Sequence, residues 1–178
     1  MAGPLVSISK HYLRDPRIIP LPFFYIGGRR RLQPPILAIC QIHGEKYPSG
    51  DARYADGIAG TRLIKQNTLS VEYMKNLYRV DTALEADFLA ALFGLKTTQQ
   101  NNEEVVGLET ISLPLMKALV FAKEPLSDAS ARCCKARLLD TIGTMEWVGI
   151  RWIPNIINRA SHAPRNLQQN RGDPIEMC

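Results

Sequence analysis

The chain has 178 residues, of which 46% are hydrophobic and 22% charged, as is typical of a globular protein with an ordinary core. These values exclude disorder throughout, and no apolar run reaches the roughly 18–20 residues that span a bilayer. Because the chain also lacks a secretion signal, the sequence predicts an intracellular, cytoplasmic protein without a transmembrane segment.

The net charge of +5 is unevenly distributed along the chain. Residues 1–66 carry a balance of +6, residues 67–130 a balance of −4, and residues 131–178 a balance of +3. A basic segment favours anionic partners, and an acidic middle next to it permits contacts with a protein partner or a second copy.

The N-terminal part is extended and rich in proline. Pro20 and Pro22 exclude a central strand there, so residues 23–26 are predicted as an edge strand at most. The apolar run 36–42 predicts a buried strand that could form a hairpin with the first. Glycines and turn residues in 43–60 predict an irregular loop.

The acidic middle has helical patterning. Capping residues and apolar spacing predict three or four short helices, over residues 71–79, 81–93, 112–124 and 127–143. Gly94 is placed to end the second helix, and the polar run 97–104 predicts a solvated loop. Residues 147–153 predict a late strand. The sequence therefore predicts a single α+β domain over 1–157, followed by a flexible basic tail over 158–178.

Three consecutive arginines form the most conspicuous candidate binding site. Arg29, Arg30 and Arg31 follow two glycines, and on a loop their guanidinium groups can grip phosphates bidentately. Arg14 and Arg17 could extend the same basic patch. The pattern predicts a contact with nucleic acid or another polyanion, and a solubilising loop tip is the alternative.

Residue sets capable of catalysis are sparse. Asp51 and Asp56 in the glycine-rich loop, with His43 nearby, could hold Mg²⁺ for nuclease-like chemistry, although aspartate is also expected in turns. Cys40 and His43 are three apart on a predicted strand and so point to opposite faces. That geometry disfavours both a zinc site and a nucleophile–base pair, so no metal and no cofactor are predicted.

These observations favour a non-enzymatic accessory or structural protein that contacts nucleic acid through its basic loop. Its acidic helical middle would then bind a protein partner or form a homo-oligomer. One alternative is a protein-binding adaptor or assembly subunit without nucleic acid. A second alternative is a small metal-dependent hydrolase or nuclease that uses Asp51, Asp56 and His43.

Overall fold

A computed structural model describes residues 22–36, 38–46, 57–65 and 70–160. In this part of the chain six strands and three α-helices follow one another, and a short 3₁₀ turn ends the series. They are β1 (Phe24–Gly27), β2 (Ala38–Lys46), β3 (Gly57–Lys65), β4 (Ser70–Tyr78), α1 (Ala83–Gln100), β5 (Val105–Thr110), α2 (Leu113–Val120), α3 (Ala129–Thr144), β6 (Trp147–Trp152) and the turn Asn155–Ile157.

The strands form one mixed sheet in the order β1-β6-β5-β2-β3-β4. Strands β2, β3 and β4 make an antiparallel meander in which nine residues of each strand pair with the next. Helix α1 then crosses over, so that β5 runs parallel to β2 and β6 runs parallel to β5. Strand β1 closes the far edge, antiparallel to β6. The predicted α+β class is confirmed.

Alternating side chains divide the sheet into two buried faces, as the two-residue period of a strand requires. The larger core lies beneath the helices and includes Cys40, Ile42, Leu108 and Ile150, all of them fully buried. The opposite face carries a smaller apolar cluster, composed of Phe23, Ile36, Ile39, Ile64, Trp147, Ile153 and Ile157.

Two local predictions in the first half of the chain are wrong. Residues 71–79, predicted as a helix, form most of β4, because pairing with β3 over nine residues outweighs the capping potential of Ser70. The proposed hairpin between the first two strands does not form, since β1 pairs with β6 and β2 lies between β3 and β5. Of the predicted irregular loop, residues 43–46 belong to β2 and residues 57–60 to β3, and the remainder lies outside the described residues.

Helix α1 continues past the glycine that was expected to end it. A Cβ on Gly94 would lie 2.9 Å from both Cys40 Sγ and Ile42 Cγ2, so this glycine permits close packing of helix on sheet. Beyond it the helix extends to Gln100, and the polar side chains of Thr97 and Thr98 are buried rather than solvated.

The second half agrees better with the sequence. Ser112 caps α2, and the strand predicted near Trp147 is β6. Helix α3 is capped by Asp128, one residue after the expected Ser127, whereas β5 was not predicted at all. The domain division at residue 157 stays a prediction, because residues 161–178 lie outside the described part. No helix within that part is long and apolar enough to cross a membrane.

Candidate active site

The connectivity of the sheet identifies one edge as the natural place for a ligand. From β2 the chain proceeds outward to β3 and β4 on one side, and after α1 it proceeds through β5 to β6 on the other. The chain therefore leaves the carboxyl ends of β2 and β5 in opposite directions along the sheet, so the strand order reverses between them. Crevices at such reversal points are the usual binding sites of open sheets with parallel strands.

Three polar residues from different elements lie near this edge. The β2–β5 ladder ends with the pair Gln41 and Glu109, so His43 on β2 lies just beyond it. Ser112 follows β5 as the cap of α2, and Asp87 lies in the second turn of α1.

The close approach of β2 and α1 brings two of these residues together. A Cβ on Gly44 would overlap the backbone carbonyl of Ala86, so only glycine allows the two backbones to touch at this point. Gly44 follows His43, and Ala86 precedes Asp87. The imidazole is consequently near enough to the carboxyl to lower its pKa when the ring is protonated.

The Asp87 carboxyl is the titratable group most affected by this environment. Burial raises its pKa from 3.8 to about 6, and the Ser112 hydroxyl and His43 lower it only in part. The Ser112 hydroxyl donates to Asp87 Oδ2 at 2.8 Å and accepts from the Leu115 amide at 3.1 Å. Ser112 thus fixes the carboxyl and the start of α2 at once. A carboxyl with a pKa near 6 can exchange protons close to neutral pH.

A second carboxylate orients the imidazole. His43 Nε2 lies 2.7 Å from Glu45 Oε1, and the side chain of His43 is 10% exposed while that of Glu45 is 42% exposed. A carboxylate on one ring nitrogen fixes the ring orientation and leaves Nδ1 for another partner. At this edge His43 and Asp87 are thus each held by a polar neighbour, Glu45 and Ser112 respectively.

Nuclease sites commonly hold divalent metal ions between carboxylates. Within the described residues, no group of three or more histidine, cysteine, aspartate or glutamate side chains is suited to holding a metal ion. Asp51 and Asp56 of the sequence-based nuclease hypothesis lie outside the described residues. The donor set present does not fit a metal cluster, and we derive no step through a metal ion.

Neither of the two described free cysteines, Cys40 and Cys134, contributes a nucleophile to this site. Cys40 lies in the core under the helices, on the opposite face of β2 from His43, as its spacing predicted. Burial raises the pKa of Cys40 to about 12, and burial raises that of Cys134 to about 12 as well. Both thiols stay protonated at neutral pH.

The arginine loop lies at the other end of the sheet. Arg29 Nη2 is 2.6 Å from Glu104 Oε1, and Arg30 Nη1 is 2.7 Å from Glu146 Oε1. These glutamates precede β5 and β6, so the loop adjoins the amino ends of those strands. Six strand residues separate that edge from the candidate site, a distance of about 20 Å.

The arginine side chains are thus partly neutralised by glutamates from the same domain. Arg31 is exposed, whereas Arg14 and Arg17 lie outside the described residues. Nucleic-acid binding by this patch stays a prediction, and it concerns a surface other than the candidate active site.

Sequence reasoning missed the central residue of the site. Asp87 lies within the predicted helix 81–93 and Ser112 begins the predicted helix 112–124, but neither was predicted to be a site residue. The sequence pattern that could have indicated Asp87 is its position between Ala86 and Phe88, two residues that are buried in the core. His43 was noticed, but with Cys40, Asp51 and Asp56 as its suggested partners.

Comparison with solved structures identifies the fold. Ribonuclease H1 from the halophilic archaeon Halobacterium salinarum NRC-1 is 16% identical over 69% of this chain and 89% of its own, with a TM-score of 0.56. The N-terminal ribonuclease H domain of a Mycobacterium tuberculosis protein is 11% identical over 72% and 88%, with a TM-score of 0.58. LC11 ribonuclease H1, solved in complex with an RNA/DNA hybrid, is 12% identical over 73% and 95%, with a TM-score of 0.52.

No protein-family model matches the chain. No curated protein matches it either. The likeness to the solved structures, at these identities, establishes the fold.

This result corrects the leading hypothesis drawn from the sequence. The similar structures are ribonucleases, which are enzymes, rather than accessory, structural or adaptor proteins. The interpretation of the chain as a non-enzymatic binding protein is therefore wrong. It relied on charge distribution and on missing motifs, and neither reveals a site assembled from β2, α1 and the start of α2.

Proposed function

We propose that this chain is a hydrolase that cleaves a phosphodiester bond of nucleic acid at the edge formed by His43, Asp87 and Ser112. The observation that carries the proposal is the Asp87 carboxyl, whose pKa of about 6 is set by burial beside His43. The fold adds support, because one protein that shares it was solved in complex with an RNA/DNA hybrid.

Asp87 is assigned the role of general base. Hydrolysis requires a water to attack phosphorus and to lose a proton as the new P–O bond forms. Above pH 6 the Asp87 carboxylate is available to take that proton, and because Ser112 engages Oδ2, the acceptor assigned to the proton is Oδ1. The reaction rate should therefore rise with pH through about 6.

His43 is assigned the role of general acid. The departing oxygen needs a proton when its bond to phosphorus breaks, and an imidazolium can deliver one from Nδ1 while Glu45 engages Nε2. The same positive charge would attract the phosphate into an edge that otherwise carries two carboxylates. Protons balance, since the base receives one and the acid releases one in each turnover.

The RNA/DNA hybrid is the first substrate class to test. The predicted arginine patch and the predicted self-association through the acidic middle enter no step of this reaction, and both stay predictions.

The test is cleavage of end-labelled RNA/DNA hybrid, single-stranded RNA and double-stranded DNA, with added Mg²⁺ and with a chelator. We expect cleavage of at least one RNA-containing substrate by the wild-type chain. Asp87→Asn and His43→Ala should each lower kcat by at least a hundredfold. Asp140→Asn, which changes an exposed aspartate of α3, serves as the matched control and should retain wild-type activity.

Absence of cleavage on all three substrates, or equal activity of Asp87→Asn and wild type, would overturn the proposal. Activity abolished by the chelator would show that residues outside the described part complete a metal site, and it would refute the acid–base mechanism as written.

A further inference from the structure

The segment that follows β6 crosses the sheet directly behind the candidate site. We call residues 153–160 the strap. It leaves the sheet edge where the Ile153 amide donates to the Thr110 carbonyl at 2.9 Å. It ends where the backbone of Ala160 packs on Gly60 of β3, a position at which any Cβ would clash with the Ala160 carbonyl. Between these points it lies against β2.

A buried glutamine two residues before His43 fastens the strap to the sheet. Gln41 Nε2 donates to the Ile157 carbonyl at 3.1 Å, and Gln41 Oε1 accepts from the Arg159 amide at 2.9 Å. The same side chain also bonds Glu109 at 3.0 Å and Arg62 at 3.3 Å. Two donors and two acceptor positions are all that a glutamine amide offers, so this group is fully used.

A buried asparagine of the strap holds the residue immediately before His43. The β2–β5 ladder ends with Gln41, and one residue later the Ile42 carbonyl accepts from Asn158 Nδ2 at 3.0 Å. Asn158 Oδ1 meanwhile accepts from the Ala160 amide at 3.0 Å, which fixes the side chain itself. Asn158 is 1% exposed, so water does not substitute for it.

We propose that Asn158 is a positioning residue that holds the carboxyl end of β2, and therefore the His43 imidazole, in place. The physical reason is that beyond Gln41 the strand pairs with β3 on one side but no longer with β5 on the other, so the strap bond supplies the restraint on the side that β5 leaves. The proposal rests on the proposed function for its catalytic meaning, whereas the positioning itself can be measured without any activity.

The experiment compares amide hydrogen exchange of residues 42–45 in wild type, Asn158→Asp and Asn155→Asp, measured by NMR. Asn158→Asp is isosteric and keeps the acceptor for Ala160 but loses the donor to Ile42. We expect exchange of residues 42–45 to accelerate about tenfold, the factor that corresponds to about 1.4 kcal/mol for one buried hydrogen bond. Asn155→Asp changes the exposed asparagine of the same strap and should leave these rates unchanged.

A merely structural role predicts a different pattern. If Asn158→Asp only lowered global stability, exchange would accelerate equally at the central β6 amides of Val148 and Ile150. Uniform acceleration, or none at residues 42–45, would overturn the proposal. If Asn158→Asp fails to fold, Asn158→Ala is measured in the same way and judged by the same outcomes.

Activity supplies the second readout. With an active wild-type chain, Asn158→Asp should lower kcat by about tenfold, because the acid is displaced from the departing oxygen. KM should change less, because the charge of the imidazole stays at the same edge. A raised KM with unchanged kcat would contradict the assignment. A wild-type chain without activity would refute the proposed function and leave the exchange result to decide the positioning.

Discussion

Replacing Asp87 by asparagine should remove activity and yet stabilise the fold above pH 6. Asparagine has the shape of the protonated carboxyl and carries no charge for burial to penalise. Its amide oxygen can still accept the hydrogen bond from Ser112. A gain in stability on removal of a residue indicates that the residue is kept for function rather than for folding.

The magnitude follows from the pKa of this carboxyl. A pKa raised from 3.8 to about 6 makes ionisation of Asp87 about 3 kcal/mol more costly in the folded state than in the unfolded chain. Because the side chain is only partly buried, solvent screening reduces the expected gain to about 1–3 kcal/mol. Below pH 3.8 both states are protonated and the difference vanishes. As the pH rises through 6, the wild-type chain loses this stability and the variant keeps it.

The assay is urea unfolding of wild type, Asp87→Asn and Asp140→Asn at about pH 4 and at about pH 8. Asp87→Asn should match wild type at the lower pH and exceed it at the higher pH, whereas the exposed Asp140 control should track wild type at both. A variant less stable than wild type at pH 8, or a difference independent of pH, would refute the assigned burial of the Asp87 charge.

Three further substitutions probe the same reasoning. Ser112→Ala removes the cap of α2 and a hydrogen-bond donor to Asp87. The free energy of unfolding should fall by about 1 kcal/mol, and the rise of the pH–rate profile should shift above pH 6. An unchanged profile would show that the hydroxyl has no effect on Asp87. Arg151→Met removes the arginine that pairs with buried Glu109 and should lower the free energy of unfolding by about 3–5 kcal/mol in a urea titration, while the double variant with Glu109→Leu should recover most of the loss. Gly44→Ala should separate β2 from α1 and abolish cleavage, with circular dichroism reporting whether the fold persists; wild-type kcat in this variant would contradict the close approach.

The sequence contained much of the fold in its local patterns. Ser112 and its following proline marked α2, and the apolar run at residues 36–42 marked most of β2, because caps and apolar runs are short-range signals. Over residues 71–79 the capping serine favoured a helix, and pairing with β3 decided in favour of a strand. Strand β5 was not predicted because it is stabilised by pairing with β2 and β6, and the local sequence does not show these long-range contacts.

The candidate site was harder to predict than the fold. His43, Asp87 and Ser112 are separated by 44 and 25 residues, and no motif spacing connects them. What joins them is the contact of Gly44 with α1 and the reversal of strand order between β2 and β5, both of which are tertiary. The three arginines form a more conspicuous pattern because they are adjacent in sequence, yet two of them pair with glutamates of their own domain.

The pairing of β1 with β6 has a consequence for synthesis of the chain. Phe24 lies opposite Ile150, so the first described strand leaves the ribosome more than a hundred residues before its partner does. The meander and α1 can assemble meanwhile, but β1 must wait, and the outer edge of β6 stays uncovered until the two ends meet. Sheet closure is thus the most non-local step of folding and the one most exposed to aggregation. Chains that end before Trp152 have no finished β6 with which β1 can pair. We therefore expect chaperones to retain these truncated chains.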